Sequence, residues 1–291
     1  MKNINMISPF IHMKSKMKKF NMKKILLVTV LIITSIYSCK DDNVIDNLEQ
    51  QNLQSSSDYL LAEKILIDIQ RIVENSLIST GTTKDCPTYT SKNNDPLNTD
   101  TLITNFGEVN CLHLDHLNRG KIITIYSAYI HDSSAIINNT FDNFYFNNNL
   151  IQGNIVLENL GTNSNQEYVY NLDINNLSIT TNNGIINLNA NYKKILISGQ
   201  STKYQYQDDI YLITGSAIGN SVNGNDFNML VTDSLLLNNS CIESSGCVIT
   251  KGKSTISPVG YKDRKLDYGN NLCDCNISAE INNDTHLIVI N

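Results

Sequence analysis

Apolar positions in this chain recur first at helical spacing and then at every second residue. Between residues 56 and 79 they form a stripe that repeats every three to five residues, at Leu61, Ile65, Ile69, Ile72 and Leu77. This spacing predicts an amphipathic helix with one side on a core. Ser56 or Ser57 is the expected N-cap, and Asp58 suits the positive end of the helix dipole.

From Cys86 onward the period changes to two, which is typical of half-buried strands. Tyr170 and Leu172 share one face of such a stretch, while Asn171 and Asp173 share the other. Twelve strands are expected, at 99–106, 120–130, 135–147, 150–160, 166–180, 185–197, 209–217, 225–237, 246–256, 261–267, 274–281 and 285–290. Short links with turn signals such as Asn148-Asn149 and Asn183-Gly184 favour antiparallel neighbours. The pattern predicts an all-β fold, a long antiparallel meander as a curled sheet or sandwich, preceded by one amphipathic helix.

A short apolar run ahead of a cysteine indicates a lipoprotein signal. Met22-Lys23-Lys24 is basic, residues 25–33 are apolar apart from Thr29 but too few to span a bilayer, and Ser38-Cys39 fits the acceptor end of a lipobox. Acyl chains on Cys39 would anchor the protein in a membrane. We therefore expect residues 1–21 to be an upstream extension with a misassigned start, 22–38 the signal peptide and 39–55 a flexible tether. The alternative is an ordinary secretory signal with a chance cysteine.

The residues after the cysteine suggest where the protein is exported. Lys40-Asp41-Asp42 resembles the acidic export signal of surface lipoproteins in Bacteroidota. That resemblance implies display on the outer leaflet of the outer membrane. A charged linker on a domain that faces the periplasm is the other interpretation.

The charge of the chain argues against nucleic-acid partners. The sequence has 22 Lys+Arg and 28 Asp+Glu, and residues 1–38 hold seven of the lysines and no acid. The mature chain therefore carries 15 basic and 28 acidic groups, a net charge of −13. Phosphate backbones require a basic surface, so we expect no nucleic acid among the partners.

Six cysteines remain besides Cys39, an even number that suits disulfides in an oxidising compartment. Several connectivities are open. The expected set is Cys86–Cys111 and Cys241–Cys273, with Cys247–Cys275 as a third bridge. Residues 86–291 would then form a disulfide-stapled β domain.

The mature chain also resembles a family of uncharacterised Bacteroidota lipoproteins. The motifs that carry the resemblance are Cys86-Pro87-Thr88, Phe106-Gly107 with Asn110-Cys111 and Arg119-Gly120-Lys121-Ile122, Thr140-Phe141-Asp142-Asn143-Phe144, Asp208-Asp209 with Ile213-Thr214-Gly215-Ser216, and Leu266-Asp267-Tyr268-Gly269 with Cys273-Asp274. Cys247 and Cys275 look like additions to the family pattern. The resemblance covers nearly the whole mature chain and implies fold and location only.

Candidate chemistry is sparse. His113, Asp115 and His116 have metal-ligand character, but their spacing matches no zinc signature, so a solvated loop is expected. Calcium would need carboxylates such as Asp142, Asp208, Asp209, Asp267 and Asp274, which lie near turns but form no calcium-loop motif. His131-Asp132-Ser133 reads as a hairpin turn, and no nucleophile elbow is present in the sequence. We expect no cofactor, no metal and no catalytic residue.

Binding is the function class that the sequence favours. Tyrosines that could stack on sugars or peptides lie along the strands, at Tyr126, Tyr129, Tyr145, Tyr168, Tyr170, Tyr192, Tyr204, Tyr206 and Tyr211, although tyrosine also suits half-buried strands. Asp100-Thr101-Leu102 and Asp233-Ser234-Leu235 resemble Bacteroidota O-glycosylation acceptors at or near strand ends. The expected function is a non-enzymatic binding or structural role at the cell surface, with a glycan or protein ligand. A periplasm-facing envelope scaffold or lipid carrier is the alternative, and a secreted hydrolase ranks last.

Overall fold

The structure is a computed structural model that describes residues 52–79, 86–92, 99–244 and 246–289. Within these residues, one α-helix, α1 (Gln54–Ile78), precedes a single antiparallel sheet of thirteen strands. The strands are β1 (Thr88–Lys92), β2 (Asp100–His113), β3 (His116–Tyr126), β4 (Ile136–Phe146), β5 (Asn149–Thr162), β6 (Tyr168–Thr181), β7 (Gly184–Ser198), β8 (Ile210–Asn220), β9 (Asp226–Asn238), β10 (Ile249–Pro258), β11 (Arg264–Asn270), β12 (Asn276–Ile281) and β13 (Asp284–Val289). The predicted fold class is confirmed.

The sheet is a meander in which every strand pairs with its neighbours in sequence, from β1 to β13. Two-residue turns make this order possible, because a hairpin needs no crossover. Asn147 and Asn148 both have positive φ between β4 and β5, as do Asn282 and Asn283 between β12 and β13. Asparagine tolerates this backbone region, which matches the twist of paired strands. The first of these turns lies one residue before the predicted Asn148-Asn149.

The sheet is curled rather than closed, and α1 lies on its inner face. Tyr59, Ile65, Ile69 and Ile72 of α1 are 0–1% exposed. They pack with alternate side chains of the strands, such as Ile122, Ile151, Leu177, Leu188 and Tyr211. Full burial of one such apolar side chain contributes roughly 1.5–3 kcal/mol.

Burial of α1 extends well beyond the predicted stripe. Leu61 and Leu77 of that stripe are only partly buried, whereas Asp58, Asp68 and Glu74 are buried. Ser57 is the one exposed residue of the helix. The sheet therefore surrounds the helix on more than one side, and its polar residues need partners inside the fold.

The predicted start of the helix is wrong. The helix begins at Gln54, and its N-cap is Leu53, which makes no side-chain capping bond. The Asn52 Oδ1 accepts a hydrogen bond from the Gln54 amide instead. Ser56 is buried inside the first turn, and the Asp58 carboxylate accepts from the Val222 amide in the β8–β9 connection.

The strand predictions missed β1 and shortened β2. β1 is largely exposed and has no apolar alternation, so nothing in its pattern marks it as a strand. It forms because each of its five residues pairs with β2, from Thr88 with Asn105 to Lys92 with Thr101. β2 itself continues to His113, seven residues past the predicted end.

Three disulfides join the cysteine pairs expected from the sequence. Cys86–Cys111 links the segment before β1 to β2. Cys241–Cys273 and Cys247–Cys275 both link the β9–β10 connection to the β11–β12 connection. The two connections therefore form one doubly bridged end of the sheet.

Candidate functional site

An open groove of about 380 Å³ lies on the outer face of the sheet, the face away from α1. It crosses β7, β8 and β9 and reaches the turn after β10. Its lining consists of Asn187, Asn189, Ile218, Gly219, Asn220, Asp226, Phe227, Asn228 and Val259. We refer to these residues as the outer groove.

The strand register explains why amides gather in the outer groove. Asn187 pairs with Asn220, and Ile218 pairs with Asn228, so these side chains stand on neighbouring strands. Cross-strand partners on one face lie close enough to act on the same ligand. Ile218 and Val259 add apolar surface, being 57% and 65% exposed.

Some of the amides are already used within the fold. The Asn189 Oδ1 accepts from the Asn176 amide, and the Asn220 Nδ2 donates to the Asp226 carboxylate. Asn187 and Asn228 make no side-chain hydrogen bond within the described part of the chain. An asparagine amide both donates and accepts, so these two can bind hydroxyl groups.

A second cluster lies under α1, and we call it the buried polar layer. Lys194 of β7 is 4% exposed, and its Nζ donates to the Gln70 Oε1 at 3.0 Å. The same Nζ lies 4.3 Å from the centre of the Tyr211 ring. The Tyr211 hydroxyl donates to the Asp209 Oδ2 at 2.8 Å.

Desolvation controls the charges in the buried polar layer. Burial raises the pKa of Asp209 to about 7, although the Tyr211 hydrogen bond opposes the shift. Burial also lowers the pKa of Lys194, against the attraction of Glu74 and Asp209. Removal of water disfavours the charged form of each group, which explains the opposite directions.

His131 extends this layer and does not form a catalytic triad. His131 Nδ1 lies 2.7 Å from the Tyr170 hydroxyl, and burial with the nearby Lys203 charge lowers the His131 pKa to about 4. Asp132 pairs instead with the Lys203 Nζ at 2.6 Å. Residues 127–135 form the β3–β4 connection, so the predicted turn at His131-Asp132-Ser133 is confirmed.

A third polar contact set surrounds Glu63 on α1. The Tyr59 hydroxyl donates to the Glu63 Oε1 at 2.8 Å, and the Tyr268 hydroxyl to the Oε2 at 3.1 Å. The Tyr192 hydroxyl lies 3.1 Å from that of Tyr59. Burial raises the pKa of Glu63 to about 7 despite these hydrogen bonds.

The predicted solvated loop at His113–His116 is wrong. The segment is the tip of the β2–β3 hairpin, and Leu114 and Asp115 form its turn with positive φ. His116 Nε2 lies 3.3 Å from the Asp68 carboxylate of α1, and the Arg71 guanidinium donates to the Leu114 carbonyl. The tip is therefore docked on the helix rather than surrounded by water.

Candidate metal ligands do not converge. Asp142 pairs with Lys121, Asp208 accepts from Thr202, Asp209 accepts from Tyr211, Asp267 pairs with Lys253, and Asp274 accepts from the Asn276 amide. Within the residues that the structure describes, no three His, Cys, Asp or Glu side chains gather in a way that could hold a metal ion.

Of the nine tyrosines considered for stacking on a ligand, three are buried and five are half-buried. Tyr170, Tyr192 and Tyr211 are buried on the inner face, and Tyr204 alone of the nine is exposed. Arg119 covers the Tyr145 ring at 3.5 Å. This placement is explained by the general preference of tyrosine for half-buried strands. The sequence pattern pointed to the tyrosines and did not point to the asparagines of the outer groove.

The remaining site predictions fall partly outside the residues that the structure describes. Cys39 and Lys40-Asp41-Asp42 lie outside the described residues. Thr101 is the second residue of β2 and is partly exposed. Ser234 is also partly exposed, but it lies inside β9 rather than at a strand end.

Comparisons with known proteins give no relative. No protein-family model, no curated protein and no solved structure matches the chain. The resemblance to Bacteroidota surface lipoproteins therefore stays a prediction that rests on the sequence motifs. The helix in the described part of the chain does not have the length and apolarity to cross a membrane.

Proposed function

We propose that the chain is a lipid-anchored lipoprotein of the outer membrane, displayed at the cell surface, with a non-enzymatic binding role. The lipobox at Cys39 supports the lipid anchor, and the acidic pair after it supports display at the cell surface. Three disulfides in the described domain suit an oxidising location. The outer groove is the observation that carries the binding role.

A neutral glycan is the ligand class that fits the outer groove best. Asn187 and Asn228 offer donors and acceptors for hydroxyl groups, and Ile218 and Val259 offer apolar contact to the carbon–hydrogen faces of sugar rings. The net charge of −13 on the mature chain repels acidic polymers. A neutral ligand avoids that cost.

The lipid-carrier alternative has less support. The spaces between α1 and the inner face, within the described part of the chain, are about 10–40 Å³ each. Such a volume holds one or a few water molecules, whereas an acyl chain would have to displace the helix. The inner face of the sheet is packed against α1, and this favours the outer face as the ligand-binding surface.

A glycan array tests the binding role. The full-length protein should bind neutral glycans and not acidic ones. Asn228→Ala should weaken the binding at least several-fold, because it removes a free amide of the outer groove. Thr232→Ala is the matched control, since Thr232 is an exposed polar residue of β9 that lies outside the groove. Equal binding by Asn228→Ala and the wild type would contradict the assignment.

Two experiments test the lipid anchor and the display at the cell surface. Cys39→Ala should move the protein from the membrane fraction to the soluble fraction, because the acyl chains supply the attachment. Protease added to live cells should cut the wild-type protein. Protein that stays intact on live cells but is cut after lysis would place the domain in the periplasm.

Display also exposes the two candidate O-glycosylation sites, Thr101 and Ser234. Both side chains are partly exposed, so a transferase could reach them with little local opening. Peptide mapping of protein from its native host should find sugar on both peptides. Unmodified peptides at both positions would end this part of the proposal.

A further inference from the structure

A buried amine and a buried primary amide meet between α1 and β7. The Lys194 Nζ lies 3.0 Å from the Gln70 Oε1, and Lys194 is 4% exposed. Both side chains line one cavity of about 20 Å³, together with Glu74 and Tyr211. A cavity of this size has room for a single molecule as small as water or ammonia.

The surroundings favour a nucleophilic amine. Burial lowers the pKa of Lys194, although Glu74 and Asp209 act against this shift. A neutral ε-amine carries the free electron pair that a nucleophile needs. The Tyr211 ring, 4.3 Å away from the Nζ, forms one wall of the site.

Glu74 is placed to transfer protons. It lies one helical turn after Gln70 on the same side of α1, and both side chains line the cavity. Burial raises the pKa of Glu74, against the attraction of Lys194, so burial favours the neutral acid. The Gln70 Nε2 is buried and has no hydrogen-bond partner within the described residues. In a tetrahedral intermediate this nitrogen becomes a basic amine, and Glu74, which lines the same cavity, is the acid that can protonate it for departure as ammonia.

We propose that Lys194 and Gln70 form an intramolecular isopeptide bond that joins α1 to β7, with Glu74 as its acid–base group. The Lys194 Nζ attacks the Gln70 Cδ, and a carbon–nitrogen bond forms. Glu74 protonates the carbonyl oxygen, moves the proton lost by Nζ to the Gln70 Nε2, and recovers its first proton from the oxygen when the carbonyl group re-forms. The Cδ–Nε2 bond breaks, and one ammonia leaves for one amide formed. No electron is gained or lost, so no co-reactant is needed.

Such a bond would connect residues 124 apart in the sequence. A covalent link across a long loop restricts the unfolded chain, as a disulfide does. Unlike a disulfide, it resists reduction. The helix inside the curled sheet would therefore stay in place even when the three disulfides are reduced.

Peptide mapping of the full-length protein, reduced and digested, tests the proposal. The wild type should give a joined pair of peptides that contain Gln70 and Lys194, lighter than their sum by one ammonia. Protease cleavage after Lys194 should be lost, because its amine is consumed. Only free peptides in the wild type would overturn the proposal, since this result does not depend on any variant.

Variants assign the roles. Lys194→Met and Glu74→Gln should both give free peptides only. Lys193→Met is the matched control, because Lys193 is the neighbouring residue of β7 on the exposed face, and it should keep the joined pair. A joined pair in Glu74→Gln would refute the role of Glu74, and a joined pair in Lys194→Met would refute the link itself.

Discussion

Asp209→Asn should make the stability of this protein less dependent on pH. Asp209 is 1% exposed, and its Oδ1 has no hydrogen-bond partner within the described residues. Its Oδ2 accepts the Tyr211 hydroxyl at 2.8 Å. Asparagine has the same shape and can still accept this hydrogen bond, but it cannot ionise.

The size of the effect follows from the pKa. Burial raises the pKa of Asp209 from 3.8 to about 7, so the folded protein holds a proton that the unfolded chain has released. Stability is therefore lost as the pH rises from about 4 to about 7. At roughly 1.4 kcal/mol per pH unit, the Asp209 contribution to this loss is about 4 kcal/mol. The asparagine amide left without a partner costs roughly 1 kcal/mol at every pH and does not change the slope.

Urea unfolding at pH 4 to 8, followed by far-ultraviolet circular dichroism, measures this dependence with the disulfides intact. The free energy of unfolding of Asp209→Asn should rise relative to the wild type by about 4 kcal/mol across the range. Glu63 also makes the free energy of unfolding fall with rising pH, because burial raises its pKa to about 7, but it does so in both proteins. Asp233→Asn is the control, since Asp233 is an exposed residue of β9 that is not among the charges acting on Asp209, and it should leave the slope unchanged. Parallel wild-type and Asp209→Asn curves would refute the reasoning.

Further expected outcomes concern the core, the sheet backbone and the bridges. Ile69→Ala should reduce the free energy of unfolding by about 2–5 kcal/mol, because Ile69 is fully buried; a loss below 1 kcal/mol would contradict its place in the core. Gly215→Ala should lower the melting temperature much more than Gly107→Ala. Both have positive φ, but an added Cβ at Gly215 would lie 2.2 Å from the Asn191 oxygen, whereas Gly107 has open space; equal effects would show that the contact does not matter. Non-reducing peptide mapping should find Cys86 joined to Cys111, and a different partner for Cys86 would change the position of β1.

The sequence by itself determined the kind of elements and their order. Helical and two-residue periodicity depend on which local positions are apolar, and short asparagine turns leave only antiparallel neighbours. The stripe from Leu61 to Leu77 therefore marked α1, and the alternation after Cys86 marked most of the strands. The cysteine pairs also agreed with the structure.

Only the tertiary structure decided what the polar residues do. A one-sided stripe predicts one buried side, yet the curled sheet surrounds α1 and buries Asp68 and Glu74 as well. Lys194 meets Gln70 across 124 residues, and the outer groove combines side chains from three strands and a turn. Periodicity depends only on residues that are close along the chain. The contacts of these polar residues depend on strand register and sheet curvature, and both are determined by all the strands of the sheet together.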